Sequence, residues 1–495
     1  MTAGVVCPVG DLGDTRDTPE MDDAGDRPPR IVCPPPGPRS RALARELARL
    51  EAPGVNTVPA GHGADGGEPP ILWETARGAN VHDVDGNRYV DLTSGFGVAA
   101  VGHRHPLVVA AIRRQAGRLL HGLGDVHAHP LRVELAARLV ELAPVDDPQA
   151  FFATSGAEAV EIALKTALAA TGRPGIVAFS PAYHGLTLGA LAATSRGEFR
   201  RPFDAYLHPH VRRLPFGCPP AALAAALAPA GGGEPQAAAG QPLAAGEPAG
   251  AAIPSHGAGG ADADRTGAAR DRPGAVLVEP IVGREGVLLP PPGWLAEVAR
   301  LCRAAGALLV VDEIFTGFGR TGTRFAVDAE GVRPDLLCCG KALGGGLPIA
   351  AVLARRPLFA VWTTPGEALH TSTFLANPLA CAAALAVLGV LERDRLADRA
   401  ASLGPALGAR LAGWAESCPA IAAVRGRGLL WGVEMRSRAA AAAWVAAARR
   451  RGILILAGGP EGRVAQLAPP LTIAETQLAG ALDRLADALP RDVDG

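Results

Sequence analysis

A lysine, Lys341, follows the apolar run DLLCC and is followed at once by the glycine-rich ALGGGLP. Upstream, LLVVDEIFTGFGRTG places Asp312 at the end of a second apolar run. Charged groups at the ends of neighbouring buried strands are costly to strip of water. That cost is offset if a ligand reacts with the amine and gives positive charge to the carboxylate. Pyridoxal 5'-phosphate does both: its aldehyde forms a Schiff base with a lysine, and its ring nitrogen needs an anionic partner. The apolar flanks of Lys341 favour the neutral amine that Schiff-base formation requires. Lys341 is therefore the expected catalytic amine, and Asp312 the group that keeps a pyridine ring protonated.

Ligands of open α/β sheets bind beyond the carboxyl ends of the strands. The residues in those places are Ser155-Gly156, Tyr183-His184, Glu279, Asp312 and Lys341. All are expected to project toward one edge. In TSGAE (154–158) Gly156 permits close backbone approach, Ser155 offers a hydroxyl, and the following helix presents free N–H groups to an anion. The same residues also fit a simple capping box, Ser155 with Glu158. Tyr183 can stack on a flat cofactor ring or stand as a partly exposed loop tyrosine. GFGRTG (317–322) matches G-x-G-x-x-G, but no helix pattern follows, so a dinucleotide fold is not expected.

The elements that must position these residues alternate. Short runs at 150–154, 175–179, 275–280, 307–312 and 335–339 read as buried strands, with helix patterns such as AEAVEIALKTALAAT and LAEVARLCRAAG among them. This pattern implies an α/β fold with a mostly parallel sheet covered on both faces. Residues 1–70 read as a disordered arm holding one short amphipathic helix at 41–50. Residues 218–273 read as a flexible Ala/Gly/Pro insertion. Residues 71–110 are expected to pack with a smaller C-terminal domain at 375–495, and 111–374 to form the large domain. At 495 residues, 48% hydrophobic and 20% charged, a sizeable core is expected. A net charge of −1 leaves no bulk attraction to nucleic acid or membrane. Eight cysteines without C-x-x-C spacing suggest neither a disulfide framework nor a metal site. No apolar leader is evident, and the apolar stretch at 439–448 is too short to span a bilayer, so a cytoplasmic protein is expected.

Together the segments GHRHP (102–106), SGAEA (155–159), YHG (183–185), EP (279–280), DEIFTGFGRTG (312–322), PDLLCCGKALGGGLP (334–348), HTSTFLANPLA (370–380) and RGRGLLWG (425–432) resemble the class-III pyridoxal-phosphate aminotransferases. The resemblance covers roughly 71–216 and 274–490. It implies the type I aminotransferase fold, with a seven-stranded sheet in the large domain and a smaller α+β domain. It further implies that Lys341 carries the Schiff base, Asp312 pairs with the pyridine nitrogen, Tyr183 stacks on the ring, and Ser155, Gly156 and Ala157 hold the phosphate. His184 and Glu279 belong to the expected cofactor-binding set. Thr373 resembles a threonine that reaches the phosphate from the partner subunit, which implies a homodimer. The implied reaction is ping-pong transfer of an amino group from a donor to an oxo-acid acceptor.

Three positions depart from the family pattern. Gln466, in RVAQLAPPL, stands where members using 2-oxoglutarate often have arginine. Arg284 replaces the glutamate that covers that arginine, and Phe315 replaces a glutamine. Losing both members of a buried ion pair is physically consistent. Arg284 is then either a relocated carboxylate contact or a surface arginine. An aminomutase or racemase on the same scaffold, or a non-catalytic cofactor-binding protein, are the competing readings.

Overall fold

Continuous runs of Val, Leu and Cys have no polar face, so they form strands only where both sides are covered. The computed structural model, which describes residues 25–52, 69–124, 126–228, 272–363 and 368–490, places such runs in a central sheet. Three strands precede it: β1 (Trp73–Arg77), β2 (Asn80–Asp83) and β3 (Arg88–Asp91). The central sheet contains β4 (Pro148–Ala153), β5 (Gly175–Ser180), β6 (Val211–Pro215), β7 (Pro273–Val278), β8 (Leu308–Asp312), β9 (Leu336–Cys339) and β10 (Ala350–Arg355). Their spatial order is β4-β10-β9-β8-β7-β5-β6. Strands β5 to β9 pair in parallel, while β10 runs antiparallel to both β9 and β4.

The period of two along each strand divides the sheet between two cores. Ala275, Leu277, Val310, Leu336, Cys338 and Val352 pack beneath the helix Gly156–Thr171. Val276, Val278, Leu309, Val311, Leu337 and Cys339 enter the larger core on the other face, with Leu295 and Val298 of the helix Trp294–Ala305. The adjacent thiols Cys338 and Cys339 are thus core residues on opposite faces. Burial pushes the Cys339 thiol up to about 12.

The remaining strands are β11 (Ile421–Arg427), β12 (Leu430–Met435), β13 (Ile453–Leu454), β14 (Leu456–Gly458) and β15 (Val464–Leu467). A smaller antiparallel sheet runs β11-β12-β15-β14. Strand β13 instead pairs in parallel with β3 and completes a sheet β1-β2-β3-β13, so the N-terminal strands lean on the C-terminal part of the chain. Among the described residues no helix is long and apolar enough to cross a membrane.

Sequence and structure differ in three places. Strand β6 (VRRLP) has two arginines and a half-buried pattern, because it lies at the sheet edge where one flank meets solvent. Strand β10 (AAVLAR) is not among the expected strands, yet it lies buried between β4 and β9. The arm expected to be disordered is not so over 25–52. Arg30 pairs with Arg88, Val32 N donates to Asn87 Oδ1 at 2.8 Å, and Asp85 accepts from Arg39 N and Ser40 N at the start of the helix Pro38–Leu50. Polar residues of the β2–β3 turn thus anchor this segment. The rest of that arm, at 1–24 and 53–68, and most of the expected insertion, at 229–271, lie outside the described residues. The insertion's described edge holds a helix, Pro220–Leu227, with Leu223 and Leu227 buried.

Beyond β8 the chain turns through DEIFTGFGRTG without regular structure, and one fully buried side chain ties it down. Glu313 accepts from Thr316 Oγ1 at 2.5 Å and from Val327 N at 2.9 Å. Burial pushes its carboxyl up to about 7, against the hydrogen bonds that favour ionisation. A carboxyl whose pKa is raised on folding costs stability as pH climbs from its unfolded value toward its folded one. Glu313→Gln keeps the shape and removes the charge. The difference in thermal midpoint between variant and parent is expected to shift in the variant's favour from pH 5 to pH 8, by on the order of 2–3 kcal/mol in unfolding free energy. A pH-independent difference would contradict this.

Candidate active site

Because β8 and β9 are adjacent and parallel, Asp312 and Lys341 emerge at the same sheet edge. Asp312 is the last residue of β8, and Lys341 opens a short turn just after β9. The lysine backbone has a φ of +40°, a strained value for a residue with a side chain, held here between Gly340 and Gly345. Its amine sits 4.5 Å above the centre of the Phe315 ring. Burial lowers the amine's pKa, the Asp312 and Glu279 carboxylates oppose that shift, and Arg284 adds to it.

Asp312 is buried and its two oxygens are already oriented. Oδ2 accepts from His184 Nδ1 at 2.9 Å and Oδ1 from Ile314 N at 3.1 Å. The other ring nitrogen of His184, Nε2, is buried without a partner in the described residues. Glu279, after β7, joins the neighbouring turns: Oε1 accepts from Tyr183 N at 3.0 Å and Oε2 from Gly283 N at 2.9 Å. Burial pushes its carboxyl up to about 7, with the His184 charge opposing and Asp312 reinforcing. His184 and Glu279 are therefore buried supports at the strand ends.

The TSGAE turn combines the two readings of its sequence. Ser155 caps the helix Gly156–Thr171, its hydroxyl accepting from Glu158 N at 3.2 Å. The reciprocal half of a capping box is displaced by one residue, since Glu158 accepts from Thr154 N at 2.6 Å instead. The helix start is crowded by design of backbone. A Cβ at Gly156 would lie 2.9 Å from Ile314, and one at Gly185 (φ +128°) 2.6 Å from Ala157. Gly156 thus meets the turn after Asp312, and Ala157 the YHG turn.

Tyr183, in the YHG turn, stands beside Arg284 and Phe199. The Arg284 guanidinium lies 4.4 Å above its ring and 5.4 Å above Phe199. Gln466 reaches the same loop, its Nε2 donating to the carbonyls of Gly283 (3.0 Å) and Arg284 (2.9 Å). Thr373 stands apart on an exposed loop, in a stretch where Leu369 and Phe374 are also exposed.

Several site residues had little sequence signal. Phe315 appears only as a departure from pattern, yet its ring fills the gap between Gly97 and Gly283 where a Cβ at either glycine would clash, at 2.5 and 2.2 Å. Gly97 is held there by buried Asp91, which accepts from Thr93 N, Gly95 N and His103 Nε2 at 2.7, 3.1 and 2.8 Å. Arg196 and buried Glu285 form a close pair, with Arg196 Nη2 2.9 Å from both carboxylate oxygens. A loop arginine far away in sequence gives no local hint of such a partner.

These residues fit pyridoxal 5'-phosphate. The lysine is desolvated beside an oriented aspartate, a buried His184 Nε2 has no partner among the described residues, and the helix Gly156–Thr171 starts after Ser155 with N-terminal N–H groups suited to an anion. The family model aminotransferase class-III matches residues 63–261 and 262–489. An acetylornithine aminotransferase of Mycobacterium bovis is 41% identical over 429 residues, covering 86% of this chain and 94% of its own. One from Methanothermobacter thermautotrophicus is 37% identical over 420 residues, covering 85% and 94%. The ornithine aminotransferase of Toxoplasma gondii, in a structure with partial occupancy of pyridoxal 5'-phosphate at its active site, superposes with a TM-score of 0.71 at 32% identity, covering 85% and 90%. Strand-end chemistry, sheet order and these relatives converge: the chain belongs to the class-III aminotransferases, a family of pyridoxal-phosphate-dependent transaminases.

Proposed function

We propose that this chain moves an amino group from a donor to an oxo acid in a ping-pong cycle run by Lys341 and Asp312. The observation that carries this reading is their shared sheet edge, with Asp312 oriented by His184 at 2.9 Å and Lys341 partly stripped of water. Bound there, the cofactor would supply an aldehyde for the amine and a ring that accepts electrons.

The chain's own groups divide the remaining work. Asp312 keeps its negative charge toward a ring nitrogen, and His184 fixes its direction. Glu279 locks the turn that presents Tyr183 as a stacking surface. Ser155, Gly156 and Ala157 offer a hydroxyl and helix N-terminal N–H groups to the phosphate. With a donor bound, Lys341 would be the free base that carries a proton between the two carbon atoms flanking the transferred nitrogen. Its lowered pKa favours the neutral form that this role requires. Lys341→Ala is expected to abolish turnover, and Asp312→Asn to lower kcat about 100-fold or more while the fold is retained. Initial rates at several donor and acceptor concentrations, with circular dichroism as control, check both; an Asp312→Asn enzyme of parental kcat would contradict the assignment.

The reading includes a homodimer in the cytoplasm. Leu120, Leu123, Val126, Leu369 and Phe374 are each more than half exposed. Asn377 Nδ2 donates to Leu120 O at 3.1 Å, and His121 meets Phe374, so two loops form one apolar surface around Thr373. Apolar surface of this kind on a folded chain favours a protein partner. A second copy would cover it and bring Thr373 toward the neighbouring phosphate. Residues 111–374 act in this account as the cofactor-binding domain and 375–495 as the smaller one, with 71–110 packed on it through the β3–β13 pairing. Sedimentation of the native protein is expected to show a dimer, and Leu120→Asp with Phe374→Asp to shift it toward monomer with loss of cofactor affinity. A native monomer with full activity would contradict this part.

A further inference from the structure

Every buried anion at this site already has a partner. Asp312 has His184, Glu279 has two backbone N–H groups, and Glu285 has Arg196. The cations are mostly committed as well. Arg196 also donates to Gly459 O at 2.8 Å, and Arg425 is held by Gly286 O at 3.0 Å and Glu434 at 2.6 Å. Arg284 differs: its guanidinium meets two aromatic faces and, among the described residues, no carboxylate. Its backbone is fixed by Gln466 Nε2 and by Gly459 N, which donates to Arg284 O at 3.1 Å. An arginine stacked on a ring keeps its in-plane N–H donors free for a planar acceptor.

The geometry points to Arg284 as the group that binds the substrate carboxylate, and to oxo acids with one carboxylate as the acceptors. This rests on the transaminase reading and deepens it. Tyr183, which carries Arg284, also belongs to the cofactor wall, so the guanidinium stands beside the place where a substrate meets Lys341. One uncommitted cation can neutralise one carboxylate. A second carboxylate would face Gln466, whose amide N–H groups are spent on carbonyls, or the paired Arg196. An unpaired charge in a partly desolvated site is rejected. Glu285 holds Arg196 from both carboxylate oxygens, so recruiting that arginine would leave a buried glutamate alone.

The test avoids the unknown donor. Enzyme loaded with pyridoxamine 5'-phosphate is mixed in single turnovers with pyruvate, 2-oxoglutarate or butanal, and the return of the aldehyde form is followed by absorbance. Pyruvate is expected to react about 10-fold or more faster than 2-oxoglutarate at equal subsaturating concentration. Arg284→Met, which keeps the stem on Tyr183, should slow pyruvate about 30- to 100-fold and butanal far less, with Arg284→Lys intermediate. Calorimetry with propionate gives a readout independent of turnover, and binding should be lost in Arg284→Met. Faster reaction with 2-oxoglutarate, or equal slowing of pyruvate and butanal in Arg284→Met with propionate binding retained, would overturn the inference while leaving the transaminase standing. Failure of all three compounds to discharge the parent enzyme would overturn both.

Discussion

The structure depends on one constraint: a lysine amine and an aspartate must share a largely dry sheet edge without neutralising each other. Parallel pairing of β8 and β9 brings both to that edge. His184 then engages Asp312, and burial presses the lysine toward its neutral form while Asp312 and Glu279 oppose it. The charges are thereby arranged for a ligand rather than for each other. Covering both faces of the sheet keeps the strand ends rigid, because alternate residues of β7 to β10 are locked into two separate cores.

Support around the pair is mostly backbone held by buried acids. Glu279 binds the turns after β5 and β7, Glu313 the long turn after β8, and Asp91 the Gly95–Gly97 turn that backs Phe315. Each acid is desolvated and accepts hydrogen bonds, so it fixes loop geometry that apolar packing cannot direct. Phe315 shows the result. Its ring is wedged between two glycines, and its face lies beneath the Lys341 amine.

Much of this was legible in the sequence wherever a signal was local. Lys341, Asp312 and the TSGAE turn follow apolar runs with no polar face, and glycine marks each close approach. The strands β7, β8 and β9 read as buried because they are buried on both sides. What escaped depended on partners distant in sequence. Strand β10 is rich in alanine, which carries little strand signal until two neighbours cover it, and β6 is disguised by edge arginines. The anchoring of residues 25–52 rests on Asp85 and Asn87, whose role appears only when the β2–β3 turn is in place. The Arg196–Glu285 pair spans 89 residues, and no local pattern around Arg196 points to its partner.

The central claim concerns a covalent attachment at one side chain, so it is tested most directly by chemical mapping. Native protein incubated with pyridoxal 5'-phosphate, reduced with borohydride and digested should yield one phosphopyridoxyl-modified peptide, DLLCCGKALGGGLP, with the mass shift on Lys341. Modification at Lys165 instead, or no stable label under saturating cofactor, would contradict the account.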